Sequence, residues 1–265
     1  MKTGFIGTGV MGGALARAVR KSVGGDELLL SNVPSSVSEA LASELGCIAA
    51  DNGTVAAECK YIFLAVKPYL IRAVAEEILP VLRERSDRYI IVSVAAGVRT
   101  EDLKAVTGNI CPVIRIMPNT PVQCGAGIVL ASFDGVTDEE EKEFFSLIAA
   151  AGVCDKVSEK MIETAGTLTG CGPAFAYVIT QALADGAVAI GVDRAHAVKY
   201  AELTLLGAAK LAYQTGKHPE QLKDEVCSPG GSTIEGVLRM EQAAVRAALE
   251  EAVKASYKKN LELGK

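Results

Sequence analysis

Two histidines in the whole chain, His196 and His218, leave little room for histidine chemistry. His196 lies in a helical run beside Arg194 and Lys199, and His218 precedes Pro219 in a turn. Neither completes a Ser-His-Asp or Cys-His arrangement, so both read as surface residues and nucleophilic hydrolysis is disfavoured. The seven cysteines, at 47, 59, 111, 124, 154, 171 and 227, are odd in number and contain no C-x-x-C pair. That argues against a disulfide framework and a zinc site, and fits a reducing, cytoplasmic setting. No other ligand cluster is present, so no metal is expected. A basic run is missing too. With 27 Lys and Arg against 32 Asp and Glu, the formal charge is −5, and a nucleic-acid surface has no electrostatic support. Small metabolites are the expected partners. No signal peptide is expected, because a strand pattern begins by residue 3. The one long apolar stretch, Ala174 to Val192, carries Gln181 and Asp185 and leans on Ala and Gly. It predicts a buried helix of a soluble protein rather than a membrane span.

What is present organises into two textures, and 265 residues suffice for two ordinary domains. Runs rich in Ile, Val, Leu, Phe or Tyr at 2–7, 27–31, 61–66, 89–96 and 111–118 alternate with helical segments. The alternation predicts βαβ units and a mostly parallel sheet, and the near-continuous apolar runs predict helices on both faces. Ile128 to Phe133 reads as one further strand. Helix starts are signalled by Ser36 with Glu39, by Thr100 before Glu101 and Asp102, and by Thr137 with Glu140. From residue 158 the strand-like runs stop and Ala-, Leu-, Glu- and Lys-rich stretches take over. The expectation is an α/β Rossmann-type parallel-sheet domain over 1–157 and an all-α domain over 158–265, the latter burying surplus apolar surface in a subunit interface.

Two glycine-rich turns carry the chemistry. Gly7, Gly9 and Gly12 have G-x-G-x-x-G spacing between the first strand pattern and a helical Ala14 to Val19. In that context the first glycine permits the tight turn, the second a close backbone approach to a pyrophosphate, and the third close helix–strand packing. The second predicted strand runs into Ser31-Asn32 with no Asp or Glu for a ribose 2′-hydroxyl. The preference therefore tilts modestly to NADP over NAD, with Ser31, Asn32, Ser35 and Ser36 as neutral donors and NADH still usable. The alternative is that Ser and Asn are ordinary turn formers there. Ala65-Val66-Lys67-Pro68 and Val94-Ala95-Ala96-Gly97 each end a predicted strand and so belong beside the cofactor. Lys67 could approach ribose or substrate, or only cap its strand in solvent.

Near the other end, Ser228-Pro229-Gly230-Gly231-Ser232-Thr233 opens a helical run, a turn suited to a small anion. Thr169-Gly170-Cys171-Gly172-Pro173 reads as a helix start with Pro173 at its first position, its amides either facing the same cleft or serving only as a helix start. A cofactor loop, an anion nest and no strong acid–base group suit a cyclic imine. Its protonated form accepts hydride at carbon without a dedicated acid, whereas a ketone needs one, which Tyr, Lys or water could still supply.

The sequence resembles the pyrroline-5-carboxylate reductase family over essentially its whole length. The resemblance is carried by Phe63 to Pro68, Arg115 to Pro121, Ala182 to Gly186, Leu205 to Lys210 and, most specifically, Val226 to Ile234. It implies NADPH-dependent reduction of Δ1-pyrroline-5-carboxylate to L-proline. It further implies that Ile6, Gly7, Thr8, Gly9, Val10 and Met11 hold the pyrophosphate beside Gly12. Ser31, Asn52 and Ala65 to Pro68 would line the rest of the cleft, with Ala95, Ala96 and Gly97 near the nicotinamide. Ser228, Gly230, Gly231, Ser232 and Thr233 would grip the substrate carboxylate, with Thr233 also bonding the ring nitrogen and Glu159 on the substrate side. Assembly is implied as homodimers through the helical domain, which in this family commonly associate into pentamers of dimers.

Two positions depart from the family pattern: Cys171 stands where Ser is common, and Glu225, if turned inward, would repel a carboxylate. A β-hydroxyacid dehydrogenase is disfavoured because Ala176 occupies the place of that family's helix lysine. Another imine reductase, or a non-catalytic NADP-sensing protein that kept the fold, are the remaining alternatives. Keeping both loops intact counts against the non-catalytic reading.

Overall fold

A computed structural model describes residues 1–263. Eight strands form one sheet: β1 (Thr3–Ile6), β2 (Leu28–Ser31), β3 (Ile48–Ala49), β4 (Tyr61–Leu64), β5 (Ile90–Ser93), β6 (Val113–Pro118), β7 (Gly127–Asp134) and β8 (Gly152–Lys156). Between them run α1 (Val10–Val19), α2 (Ser35–Leu45), α3 (Asn52–Glu58), α4 (Ile71–Glu84), α5 (Thr100–Thr107) and α6 (Asp138–Ile148). Five helices follow: α7 (Glu159–Ala189), α8 (Arg194–Thr215), α9 (Pro219–Val226), α10 (Ser232–Gln242) and α11 (Val245–Leu263). The strand order is β3-β2-β1-β4-β5-β6-β7-β8. Every pair is parallel except β6 with β7. The first six strands thus have the order of a dinucleotide-binding sheet, with its reversal between β1 and β4.

The apolar runs are continuous because both sheet faces are covered. On one face Phe5, Phe63, Val92 and Ile114 pack with α1, α2 and α6 around Leu15 and Phe144. Phe5 stacks on Phe63 at 4.3 Å between ring centroids. On the other face Ile6, Ile62, Leu64 and Ile91 pack with Val55, Ile71, Ile78 and Leu103 of α3, α4 and α5.

The chain divides into two compact units, Met1–Gly170 with the residues from Lys259 onward, and Cys171–Lys258. The texture change at 158 coincides with the start of α7, and the division falls inside that helix. In the second unit the buried core is small, Ala184, Ala197 and Ala201. The stretch expected to be buried is largely exposed in the single chain: Tyr177, Val178 and Ile190 are 65%, 70% and 84% exposed. No described helix is long and apolar enough to cross a membrane.

Two local expectations are corrected. Helix α2 starts at Ser35 behind Pro34, with no side-chain cap. The fixed φ of Pro34 sets the entry, leaving no capping role for Ser36. Pro173 does not open a helix but lies inside α7. Four residues back, the Thr169 carbonyl has lost its helical donor, and Asn119 Nδ2 donates to it at 3.1 Å. Helix α5 begins at Thr100 as signalled: Asp102 Oδ2 accepts from Arg99 N–H at 3.1 Å, and Thr100 N–H donates to the distant Glu159 carboxylate at 2.7 Å. At Thr137, by contrast, both bonds of the Thr137/Glu140 capping box form.

Candidate active site

The glycine loop is built as its spacing requires. Gly7 has φ +99°, and a Cβ there would sit 2.7 Å from the Ala65 carbonyl oxygen. A Cβ on Gly12 would meet Gly7 O at 2.2 Å, whereas one on Gly9 would project into open space. Gly9 is the N-cap of α1, and no side chain caps that helix. Its first-turn amides therefore face outward with a positive helix end behind them. Thr8 is buried, yet its hydroxyl has no partner. An uncapped helix start, an orphaned hydroxyl and the space a Cβ at Gly9 would fill together fit a bound pyrophosphate.

Hydrogen bonds tie this loop to the neighbouring strand end. Gly7 N–H donates to Ser31 O at 2.8 Å, and Thr8 N–H donates to Asn32 Oδ1 at 2.9 Å. Ser31 Oγ donates to Asn52 Oδ1 at 2.6 Å. Asn52 Nδ2 in turn donates to both carboxylate oxygens of Glu77, at 3.1 and 3.0 Å. Ser31, Asn32, Asn52 and Glu77 wall a cleft of about 420 Å³ that also includes Val33, Ser35, Glu39 and Asp51. Glu77 has no local signal in the sequence, since it reaches the cleft from α4. Across the sheet reversal, Ala65 N–H donates to Ile6 O at 2.9 Å. That places Ala65 and Val66 against Gly7, with Lys67 and Pro68 exposed beyond them. Ala95 is buried at the end of β5, Ala96 is exposed, and Gly97 has φ +78°. The first unit thus gathers the predicted cofactor residues along the carboxyl ends of β1, β2, β4 and β5.

Glu159 is anchored. Its Oε1 accepts from Thr100 N–H and, at 2.8 Å, from Arg115, whose side chain is 4% exposed. Burial pushes the Glu159 carboxyl up, but these hydrogen bonds outweigh it and hold it below the usual range.

In the second unit, Gly230 has φ +66° and Gly231 N–H donates to Ser228 O at 3.0 Å. A Cβ on Gly231 would lie 2.3 Å from Ser228 Oγ and 3.1 Å from Ser228 O, so the turn is tight there and the Ser228 side chain would have to turn away. Helix α10 begins at Ser232 with Gly231 as N-cap and no side-chain cap. Ser232 and Thr233 are exposed beside its free amides. Glu225 is engaged by Lys217 Nζ at 2.7 Å. Among the described residues no group of three or more His, Cys, Asp or Glu could hold a metal.

Comparison with known proteins fits both units. The family model for pyrroline-5-carboxylate reductase dimerisation matches residues 159–263. That for NADP oxidoreductase, coenzyme F420-dependent, matches 2–97. The pyrroline-5-carboxylate reductase of Glycine max is 38% identical, over 98% of this chain and 95% of that protein. The Escherichia coli protein of the same name is 36% identical, over 100% and 98%. The chain belongs to the pyrroline-5-carboxylate reductase family. Among solved structures, the Coxiella burnetii reductase superimposes with a TM-score of 0.91 at 29% identity, covering 100% of this chain and 98% of that one. The Plasmodium falciparum reductase, solved with NADP bound, gives 0.86 at 26%, with the same coverage.

Proposed function

We propose that this chain reduces Δ1-pyrroline-5-carboxylate to L-proline with NADPH, the closing reduction of proline formation, and that NADH can take the place of NADPH. The observation that carries this reading is identity of 36–38% to reductases of that name over 98–100% of the chain. The fit of the α1 turn to a pyrophosphate agrees with it.

The chemistry that a reduced nicotinamide would supply when bound is hydride for the imine carbon. The residues of the chain bind and orient. Amides of Gly9, Val10 and Met11, with the Thr8 hydroxyl, hold the pyrophosphate, and Gly12 lets α1 pack close. Ser31, Asn32 and Asn52 meet the ribose, while Ala65 to Pro68 and Ala95 to Gly97 line the strand ends. The amides at the start of α10, with Ser228 and Ser232, hold the substrate carboxylate, and the Thr233 hydroxyl meets the ring nitrogen. Because Glu159 Oε1 is committed to Thr100 and Arg115, the oxygen it offers a substrate is Oε2. Rate enhancement then comes from orientation and electrostatic anchoring.

The helical part pairs two copies of the chain, and such dimers assemble further as pentamers of dimers in a cytoplasmic setting. Exposed Tyr177, Val178, Leu206 and Tyr213 on α7 and α8 support a partner surface. The test is product identification: incubation with NADPH and pyrroline-5-carboxylate should yield L-proline by chiral chromatography. Oxidation of NADPH without proline would overturn the assignment.

A further inference from the structure

The cleft at the end of β2 has a polarity that the sequence does not reveal. In a dinucleotide-binding sheet this is where the adenine ribose presents its 2′ group. A 2′-hydroxyl can donate a hydrogen bond, whereas a phosphate dianion only accepts. What discriminates the two is therefore which protein atoms there still have a proton to give.

Glu77 settles that question for its neighbours. A carboxylate only accepts, so it turns the Asn52 amide until Nδ2 faces it, at 3.1 and 3.0 Å from the two oxygens. Asn52 Oδ1 is then left facing Ser31, and the Ser31 hydroxyl proton is committed to it at 2.6 Å. Both residues are buried, Ser31 at 3% and Asn52 at 9% exposure, so neither proton is readily traded for one from water. Ser31 Oγ consequently shows the cleft only lone pairs. Asn32 is half engaged, since one N–H of its Nδ2 donates to Pro34 O at 3.2 Å and its Oδ1 accepts from Thr8 N–H, which leaves the second Nδ2 proton. The cleft wall adds Glu39 and Asp51 to Glu77 and includes no Lys or Arg. Donors for a phosphate remain at the second Asn32 Nδ2 proton and, on the α2 side, at Ser35.

We infer that Glu77 is a specificity-determining residue: through Asn52 it fixes Ser31 at the ribose end of the cleft as a hydrogen-bond acceptor, which favours a 2′-hydroxyl there and so admits NADH alongside NADPH. This rests on the reductase reading above. It supplies from α4 the carboxylate that is missing from the end of β2, acting one hydrogen bond removed rather than by direct contact.

The experiment is direct binding of NADPH and NADH, followed by nicotinamide fluorescence at fixed ionic strength, for the unaltered protein, Glu77→Gln and Glu39→Gln. The amide introduced by Glu77→Gln can donate as well as accept, so Asn52 is free to turn and Ser31 to point its proton at a phosphate. The ratio of NADPH to NADH dissociation constants should fall about tenfold in Glu77→Gln, the size of one charge-assisted hydrogen bond. Glu39→Gln removes the same charge from the same cleft without touching Asn52, and should move the ratio less than about threefold. An unmoved ratio in Glu77→Gln, or an equal shift in both variants, would overturn the relay. Failure of both dinucleotides to bind the unaltered protein would overturn the reductase reading and this inference with it, whereas binding of NADPH without NADH, or binding with an unmoved ratio, overturns this inference alone.

Discussion

Asn119 gives its side-chain N–H to the carbonyl of Thr169 at 3.1 Å, the one carbonyl of α7 that Pro173 cannot serve. The same amide accepts from Ile128 N–H at 3.0 Å, so it ties the start of β7 to the interior of a 31-residue helix. Asn119→Ala orphans both backbone groups and should cost about 1–3 kcal/mol in urea unfolding at fixed protein concentration. Pro173→Ala, which restores a helical donor, should recover part of that loss when combined with it. Additive effects of the two substitutions would remove the link.

Gly9 and Gly12 separate binding from folding. A side chain on Gly9 meets nothing in the protein, so Gly9→Val should fold normally and bind NADPH at least about tenfold more weakly. Gly12→Ala drives a Cβ into Gly7 O and should destabilise by about 1–3 kcal/mol or more. Thermal unfolding and cofactor titration on both variants check the pair, and the reverse order of effects would contradict the loop geometry.

Much of this architecture is legible in the sequence because helices on both faces force the strands to be apolar throughout. Phe5, Phe63 and Ile91 announce β1, β4 and β5 for that reason. The edges are silent: β3 is two residues, and β8 reads Gly-Val-Cys-Asp-Lys, half exposed. Both are held by backbone pairing rather than by an apolar pattern. The glycine turns are legible because each needs a backbone no other residue can adopt or fit. Glu77, the Glu159 cap on α5 and the Asn119 bridge are not, since each reaches its partner from at least 25 residues away. A proline at 173 reads as a helix start until that bridge is seen.

Glu140 sets an acid limit on stability. Arg88 donates to it through Nε at 2.8 Å and Nη2 at 2.9 Å, and Thr137 N–H adds a third bond. Arg88 thereby holds its carboxyl down at about 2. A depressed folded-state value means the stabilisation is complete above the unfolded value, about 4.3, and drains away as pH falls from there toward 2. Arg88→Gln should flatten the melting temperature between pH 5 and 3, read by scanning calorimetry, relative to the unaltered protein. Parallel slopes would show that Glu140 is not the group responsible.

Thr233→Ala should lower kcat/KM for the imine at least about tenfold, the scale of one lost hydrogen bond in the transition state. Its fold should be unchanged, because Thr233 is exposed and α10 draws no cap from it. Thr233→Ser should restore most of the rate. Full activity in the alanine variant would take the ring-nitrogen contact out of the mechanism.

The most direct measurement of the central claim is the initial rate of NADPH oxidation with pyrroline-5-carboxylate, set beside uncarboxylated cyclic imines and a panel of ketoacids. Turnover confined to the carboxylated imine is the predicted result. Silence there, with turnover on a ketoacid or another imine, would keep the fold and contradict the assigned reaction.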